Sequence, residues 1–371
     1  MVDRTVALAN GRLTLAIRRS DWPLDRLCGF AARRNPRRGY LIVSKVLGRH
    51  MPVRPSELRA SLRDLASKIP ADLPGPILVV GLAETAVGLG HGIFEELHGR
   101  GMAAAFLHTT RQAVPEPLLC RFEEPHSHAS AHLIYRPAGI GLGGIRSLVI
   151  VDDEVSTGTT LANLAAALAP ALPRCERIVV ATLTDWSDST AWLERMPAPA
   201  CCVSLLEGSL DWSADPQSPA GAGAAAFESA AGALGALPNA GPFGRLGAVL
   251  PAAFPLPDVE TLSLPPGRAL RAIGTGEFTY PAFLLAERLE EAGYDVVVQA
   301  TSRSPIHIGG AIGHALVFED NYGSGIANFL YNADPADGRL SLICHETPPG
   351  TVDPALVSAL GARTICFGGK D

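Results

Sequence analysis

Two adjacent carboxylates, Asp152 and Asp153, follow an apolar run and precede Glu-Val-Ser-Thr-Gly-Thr-Thr160. The run Leu148-Val-Ile-Val151 has the length and β-branched content of a buried strand, and a helical pattern sets in near Thr159. A strand that carries acids and hydroxyls to the start of a helix makes an anion site. Free backbone N–H groups, a permissive Gly158 and the hydroxyls of Ser156, Thr157, Thr159 and Thr160 suit a phosphate monoester. The acid pair can accept hydrogen bonds from vicinal ribose hydroxyls and help to hold Mg2+ through water. The plainer reading, a helix-capping loop beside fortuitous acids, requires the two features to coincide by chance.

This order of apolar strand, two acids and Thr-Gly-Thr-Thr resembles the loop that binds 5-phosphoribosyl-1-pyrophosphate (PRPP) in class I phosphoribosyltransferases. The resemblance implies that Asp152 and Asp153 hold the ribose hydroxyls and, through water, Mg2+. It implies that Glu154, Ser156, Thr157, Gly158, Thr159 and Thr160 belong to the loop around the 5′-phosphate. Gly81-Leu-Ala-Glu-Thr85 then stands in the place of the pyrophosphate loop, with Ala83, Glu84 and Thr85 offering backbone amides and a strained peptide of the kind such sites tolerate. Glu84 departs from the basic or small residue often found there, and capping of the next helix stays open for it.

Arg111, at the end of His108-Thr-Thr-Arg111, can neutralise pyrophosphate charge as the C–O bond breaks; a surface arginine in a turn is the alternative. Residues 112–130 are polar and interrupted by proline, as a lid would be that keeps an oxocarbenium-like centre from water. Within that stretch and just beyond it lie His126, His128 and His132. Contact with pyrophosphate or substrate, a metal site and neither role all remain open, H-x-H alone being a weak zinc signal. Gly139-Ile-Gly-Leu-Gly-Gly144 fits a dinucleotide fingerprint, yet it precedes a strand where that motif must follow one, so it reads as a loop.

Several stretches together are similar to one narrower family, the phosphoribosyltransferases associated with bacterial tellurite-resistance (stress-response) gene clusters. They are residues 44–50, 81–85, 108–111, 122–128 and the PRPP loop. In that family a C-terminal domain is named for a Thr-Arg-Ser-Pro (TRSP) motif, which here reads Thr301-Ser-Arg-Ser-Pro305 with serine in the threonine position. The resemblance implies an orotate-transferase-like fold, Mg2+ dependence, and PRPP or a nucleotide with a nucleobase as ligands. Lys45, Arg49 and His50 are candidates for a hood over the base or pyrophosphate, with a plain surface role equally open.

The elements that must position these residues follow a strand–helix–strand rhythm. Strands are expected near 40–44, 77–80, 103–108 and 147–151, and helices near 56–69, 84–98 and from 159. That rhythm predicts an α/β fold, a parallel sheet flanked by helices. Residues 1–38 read as strands or an irregular cap around an arginine cluster at 33, 34, 37 and 38. From 213 to 246 the composition turns to Ala, Gly and Pro, which reads as a linker with one Ala-rich helix near 224–234. The expected domains are therefore 1–212, with an N-terminal hood, and 247–371.

The second domain reads like a worn copy of the first. Glu84 and Arg111 are 27 residues apart, and Glu277 and Arg303 are 26 apart. Phe122-Glu-Glu and Ala131-His-Leu-Ile-Tyr135 align with Phe318-Glu-Asp and Ala327-Asn-Phe-Leu-Tyr331; Leu148 to Asp153 align with Ser341 to Glu346. In the copy His345-Glu346 replace the acid pair, and two prolines in Thr347-Pro-Pro-Gly-Thr351 remove N–H groups that a phosphate needs. The copy is expected to pack on the first domain as a built-in pseudo-dimer partner, with Arg303, Ser304 and Glu277 finishing the active site or forming an effector pocket.

Composition bounds the rest. A chain of 371 residues with 18% charged and 47% hydrophobic residues fits a well-cored protein of two domains. A net charge of −6 argues against nucleic acid as the main partner. Seven irregularly spaced cysteines, no basic-then-apolar opening and no apolar run of membrane length predict a cytoplasmic protein with reduced thiols. A phosphoribosyltransferase is the expected function. A PRPP or nucleotide sensor is the alternative and a PRPP-synthetase-like pyrophosphokinase a more distant one; homodimerisation stays open.

Overall fold

The computed structural model describes residues 2–33, 38–123, 131–215, 234–238, 241–251 and 254–368. The chain opens with an antiparallel hairpin of β1 (Val2–Leu8) and β2 (Gly11–Ser20). A short helix, α1 (Leu24–Leu27), leads into a second hairpin of β3 (Cys28–Ala32) and β4 (Tyr40–Ser44). Helix α2 (Pro55–Ser67) begins on Pro55, whose missing N–H would have no partner in a first turn anyway, and it buries Leu58, Leu62 and Leu65 at helical spacing.

A parallel βαβ series follows. Strand β5 (Ile77–Gly81) runs into α3 (Ala86–Gly99) and β6 (Ala104–His108). The helix starts two residues later than the sequence pattern suggests. The short strand β7 (Gln112–Ala113) and the antiparallel hairpin β8 (Leu118–Glu123) and β9 (Ala131–Tyr135) come next, so residues 118–123 of the predicted lid form one strand of a β-hairpin. Cross-strand pairing such as Phe122 with His132 supplies partners that a polar, proline-interrupted reading does not anticipate. Residues 124–130, with His126 and His128, lie outside the described residues.

Strand β10 (Ser147–Val155), α4 (Thr159–Leu168), β11 (Arg177–Asp185) and β12 (Ala200–Ala214) complete the first sheet. Its order is β1-β2-β12-β11-β10-β5-β6, parallel from β6 to β12, with the β2–β1 hairpin continuing one edge antiparallel. Val149, Ile150 and Val151 are fully buried, as a strand covered on both faces requires.

Among the described residues of the 213–246 stretch, several pack on the rest of the fold. Strand β13 (Gly235–Ala236) pairs with β7, Phe243 is buried, and Arg245 is among the most buried side chains of the protein. Composition alone misses this because the packing rests on Leu237, Phe243 and Arg245 among many small residues. The helix expected near 224–234 falls almost wholly outside the described residues.

The second domain consists of β14 (Leu270–Gly274), α5 (Tyr280–Glu291), β15 (Val296–Ala300), the hairpin β16 (Ala315–Glu319) and β17 (Ala327–Tyr331), β18 (Leu340–His345), α6 (Pro354–Leu360) and β19 (Arg363–Cys366). Its parallel sheet has the order β15-β14-β18-β19, which repeats β6-β5-β10-β11. The register repeats as well: Gly81 pairs with Val151 and Gly274 with Cys344, while Phe122 pairs with His132 and Phe318 with Asn328.

The two domains share one hydrophobic cluster and bond through their backbones. His307 N–H donates to Ala32 O and Ala311 N–H to Phe30 O, each at 2.9 Å, so the β3–β4 hairpin is held by the second domain. All seven cysteines are free thiols. Among the described residues no helix is long and apolar enough to cross a membrane.

Candidate active site

A cavity of about 230 Å³ opens where β5 and β10 end, between the first domain, its β3–β4 hairpin and the segment after β15. Residues 152–161 form one wall. Strand β10 continues through Asp152, Asp153 and Glu154, because its pairing with β11 extends to Val155 and Asp185. The chain then turns at Gly158, whose φ of 67° is left-handed, and α4 begins. That glycine is required twice over, since a Cβ there would stand 2.2 Å from the Trp192 ring. Thr157 Oγ1 donates to Thr159 Oγ1 at 3.1 Å, and Arg195 Nη2 braces the loop on Thr157 O at 2.9 Å.

Asp153 stands in the same wall, where its ionised form is disfavoured. Burial, and after it the neighbouring Glu154, pushes its carboxyl up to about 6. Arg38 bonds Glu154 at 2.5 Å, and Asp152 Oδ1 accepts the Asp153 N–H at 2.9 Å. Among the described residues no group of three or more His, Cys, Asp or Glu side chains is arranged to hold a metal. The all-oxygen acid pair suits Mg2+, which keeps several waters and takes further oxygens from a phosphorylated ligand.

Ala83, Glu84 and Thr85 form a second wall, and the Ala83–Glu84 peptide is cis. Ala83 N–H donates to Thr109 Oγ1 at 2.8 Å, which ties this loop to the end of β6. Arg111 lines the cavity and reaches His132 Nε2 at 3.1 Å. Because arginine can only donate, His132 carries its proton on Nδ1, which faces Thr109 Oγ1 at 2.9 Å. One relay thus runs from Arg111 through His132 and Thr109 to the Ala83 amide.

Glu84 does not cap α3. Thr85 occupies the cap position, and the Glu84 carboxylate instead accepts from Arg49 Nη2 at 2.5 Å and stands 3.0 Å from Arg303 Nε. Arg303 lines the cavity together with Ser302, Ser304 and His50. Arg49 lies behind Glu84 and also donates to Gly276 O at 2.5 Å. Lys45 does not line the cavity; its Nζ donates to Asp25 O at 2.8 Å.

Arg33 and Arg38 line the cavity, although the arginine cluster that contains them carries no assigned role in the sequence reading. Their approach depends on the antiparallel pairing of β3 with β4. Arg195 and Ser302 are likewise brought in by folding alone.

The sheet order, the acid pair at the end of its central strand and the hydroxyl loop at the start of α4 define a class I phosphoribosyltransferase fold. A family model described as phosphoribosyl transferase matches residues 27–209, and one described as the TRSP domain C-terminal to it matches residues 258–360. The chain belongs to the phosphoribosyltransferases that carry a C-terminal TRSP domain. Among solved structures it is similar to adenine phosphoribosyltransferase from Trypanosoma brucei, at 11% identity and TM-score 0.36 over 55% of this chain and 87% of that one. It is similar to the enzyme from Rhodothermus marinus at 16% identity and TM-score 0.33, over 50% of this chain and 96% of that one. Orotate phosphoribosyltransferase from Aeropyrum pernix is 17% identical with a TM-score of 0.28, over 46% of this chain and 80% of that one. No curated protein matches the chain.

Proposed function

We propose that this phosphoribosyltransferase takes PRPP with Mg2+ and transfers the phosphoribosyl group to a nucleobase, or runs the reverse reaction on a nucleoside monophosphate. The observation that carries the reading is one cavity gathering the acid pair, the hydroxyl loop, the 83–85 loop and Arg111. In this reading the loop from Ser156 to Thr160 and the start of α4 hold the 5′-phosphate. Asp152 and Asp153 accept hydrogen bonds from the ribose hydroxyls and orient C1 toward the base. Magnesium, held by this acid pair through water, would offset charge on the pyrophosphate. The amides of Glu84 and Thr85 and the Arg111 guanidinium meet the negative charge that grows on the departing pyrophosphate. A place in a tellurite or general stress response rests on the family resemblance.

Incubation with PRPP, Mg2+ and pooled nucleobases, and in parallel with pooled nucleoside monophosphates and pyrophosphate or phosphate, tests this by mass spectrometry. A new nucleotide or a released base is expected from the unaltered protein and not from Asp152→Asn/Asp153→Asn. PRPP binding without turnover in either direction would move the reading to a sensor, and no PRPP binding at all would end both.

A further inference from the structure

Part of the cavity wall belongs to the second domain, and it presents buried donors whose hydrogen bonds are unmade. The Arg303 side chain is 8% exposed. Its Nη1 and Nη2, and Ser304 Oγ, are buried and have no hydrogen-bond partner among the described residues. Glu84 meets only the Nε edge of the guanidinium, and Asp320 Oδ2 stands 3.9 Å from Nη2, beyond hydrogen-bond reach. A guanidinium stays charged in any protein setting, so leaving both terminal nitrogens without hydrogen bonds inside the molecule is unfavourable unless a ligand completes them.

The backbone on either side of Arg303 is, by contrast, held by hydrogen bonds. Ser302 exchanges both backbone hydrogen bonds with Phe329, at 2.9 and 2.8 Å. The Tyr331 hydroxyl donates to Ser304 O at 2.7 Å and accepts from Ile306 N–H at 2.9 Å. Ser304 N–H donates to Ser302 Oγ at 3.2 Å. A rigid segment that presents unfilled donors to a cavity is preorganised for an anion.

The second domain does not use these donors for a site of its own. Its counterpart of the acid-pair region is filled from within by Arg245, which bonds Glu346 at 2.6 Å through both Nη1 and Nη2 and Glu277 at 3.0 Å. What it presents outward is Arg303, beside the 83–85 loop of the first domain.

We propose that Arg303 and Ser304 bind the pyrophosphate of PRPP together with the 83–85 loop, so that the second domain completes the active site of the first within one chain. This rests on PRPP-dependent transfer as proposed above. In that step the bond from ribose C1 to the pyrophosphate oxygen breaks with its electron pair on the oxygen, while the base nitrogen bonds C1. Arg303 meets the negative charge left on the pyrophosphate.

Calorimetry with inorganic pyrophosphate and, separately, ribose 5-phosphate, both with Mg2+, tests the assignment. Arg303→Gln should weaken pyrophosphate binding about 10- to 100-fold, the loss of a charge-assisted hydrogen bond, with Arg303→Lys between it and the unaltered protein. Ribose 5-phosphate should bind all of them alike. Unchanged pyrophosphate affinity in Arg303→Gln overturns the inference and leaves the transfer reading standing. An unaltered protein that binds neither ligand overturns both. Should Arg303→Gln lose both ligands through misfolding, Ser304→Ala decides, because it breaks no ion pair. Weaker pyrophosphate binding with normal ribose 5-phosphate binding supports the inference, and unchanged pyrophosphate binding overturns it.

Discussion

Thr109 Oγ1 accepts the amide of Ala83 at 2.8 Å, and Thr301 Oγ1 accepts the amide of Gly276 at the same distance. Each threonine is the first residue after a parallel strand, and each amide lies two residues past the glycine that ends the neighbouring strand. The two domains are copies down to this bond, and they meet by exchanging equivalent groups. Glu84 of the first faces Arg303 of the second, while Glu277 of the second accepts the Arg111 N–H of the first at 2.6 Å. Helix α3 packs on its counterpart α5 so closely that a Cβ on Gly88 would stand 2.9 Å from Thr279 Oγ1. Reciprocal contacts of this kind are the pattern of an isologous dimer interface, realised here within one chain.

Residues 1–215 and 234–371, coexpressed as separate chains with a tag on one, should therefore copurify. The interface holds the buried charged groups Glu84 and Arg303 and part of a shared core, which covalent continuity does not create. Recovery of the tagged piece alone from lysate would contradict this.

Arg245 stabilises the fold through charge pairing and not through ligand binding. Against the burial that would raise it, Arg245 holds the Glu277 carboxyl below the ordinary carboxylate range. Arg245→Met leaves Glu277 and Glu346 buried without their cation, at a cost of about 3–5 kcal/mol. A lowered urea midpoint checks this, and Glu346→Gln in the same chain should recover part of the loss.

Gly158→Ala forces a side chain into left-handed backbone and against Trp192. The cost is about 1–3 kcal/mol, concentrated at the loop before α4. The variant should fold with a lower Tm and lose ribose 5-phosphate affinity, both measurable on one preparation; unimpaired binding would separate this loop from the phosphate.

Acid should unfold the protein early. Burial, and then the nearby Arg49, pushes His50 down from 6.5 to about 3; burial, and then His108, does the same to His91. Both rings are neutral in the native protein, whereas the unfolded chain protonates below about pH 6.5. Stability is thus full above that value and declines as pH falls toward 3, by up to about 1.4 kcal/mol per pH unit for each histidine. Urea midpoints at pH 7.5 and 5.5 measure the slope. His91→Phe, set among Phe106, Phe254 and Tyr280, should reduce it, and an unreduced slope would remove His91 from the account.

Much of this molecule is legible along the chain. The loop from Asp152 to Thr160 can be read because its acids, glycine and hydroxyls are contiguous, so strand and helix propensity alone bring them together. The repeat is visible because hairpin and strand registers survive in residue order, even where His345 and Glu346 have replaced the acids. What folding decided is every contact between charged groups far apart in sequence. Glu84 suits a helix cap locally, yet Arg49 and Arg303, 35 residues before it and 219 after it, take its carboxylate instead. Arg245 sits in a stretch whose Ala, Gly and Pro suggest a spacer, and it becomes one of the most enclosed cations among the described residues. Local propensity acts over a few residues, whereas the partner of a buried charge is chosen by whichever opposite charge the packed backbone brings within reach.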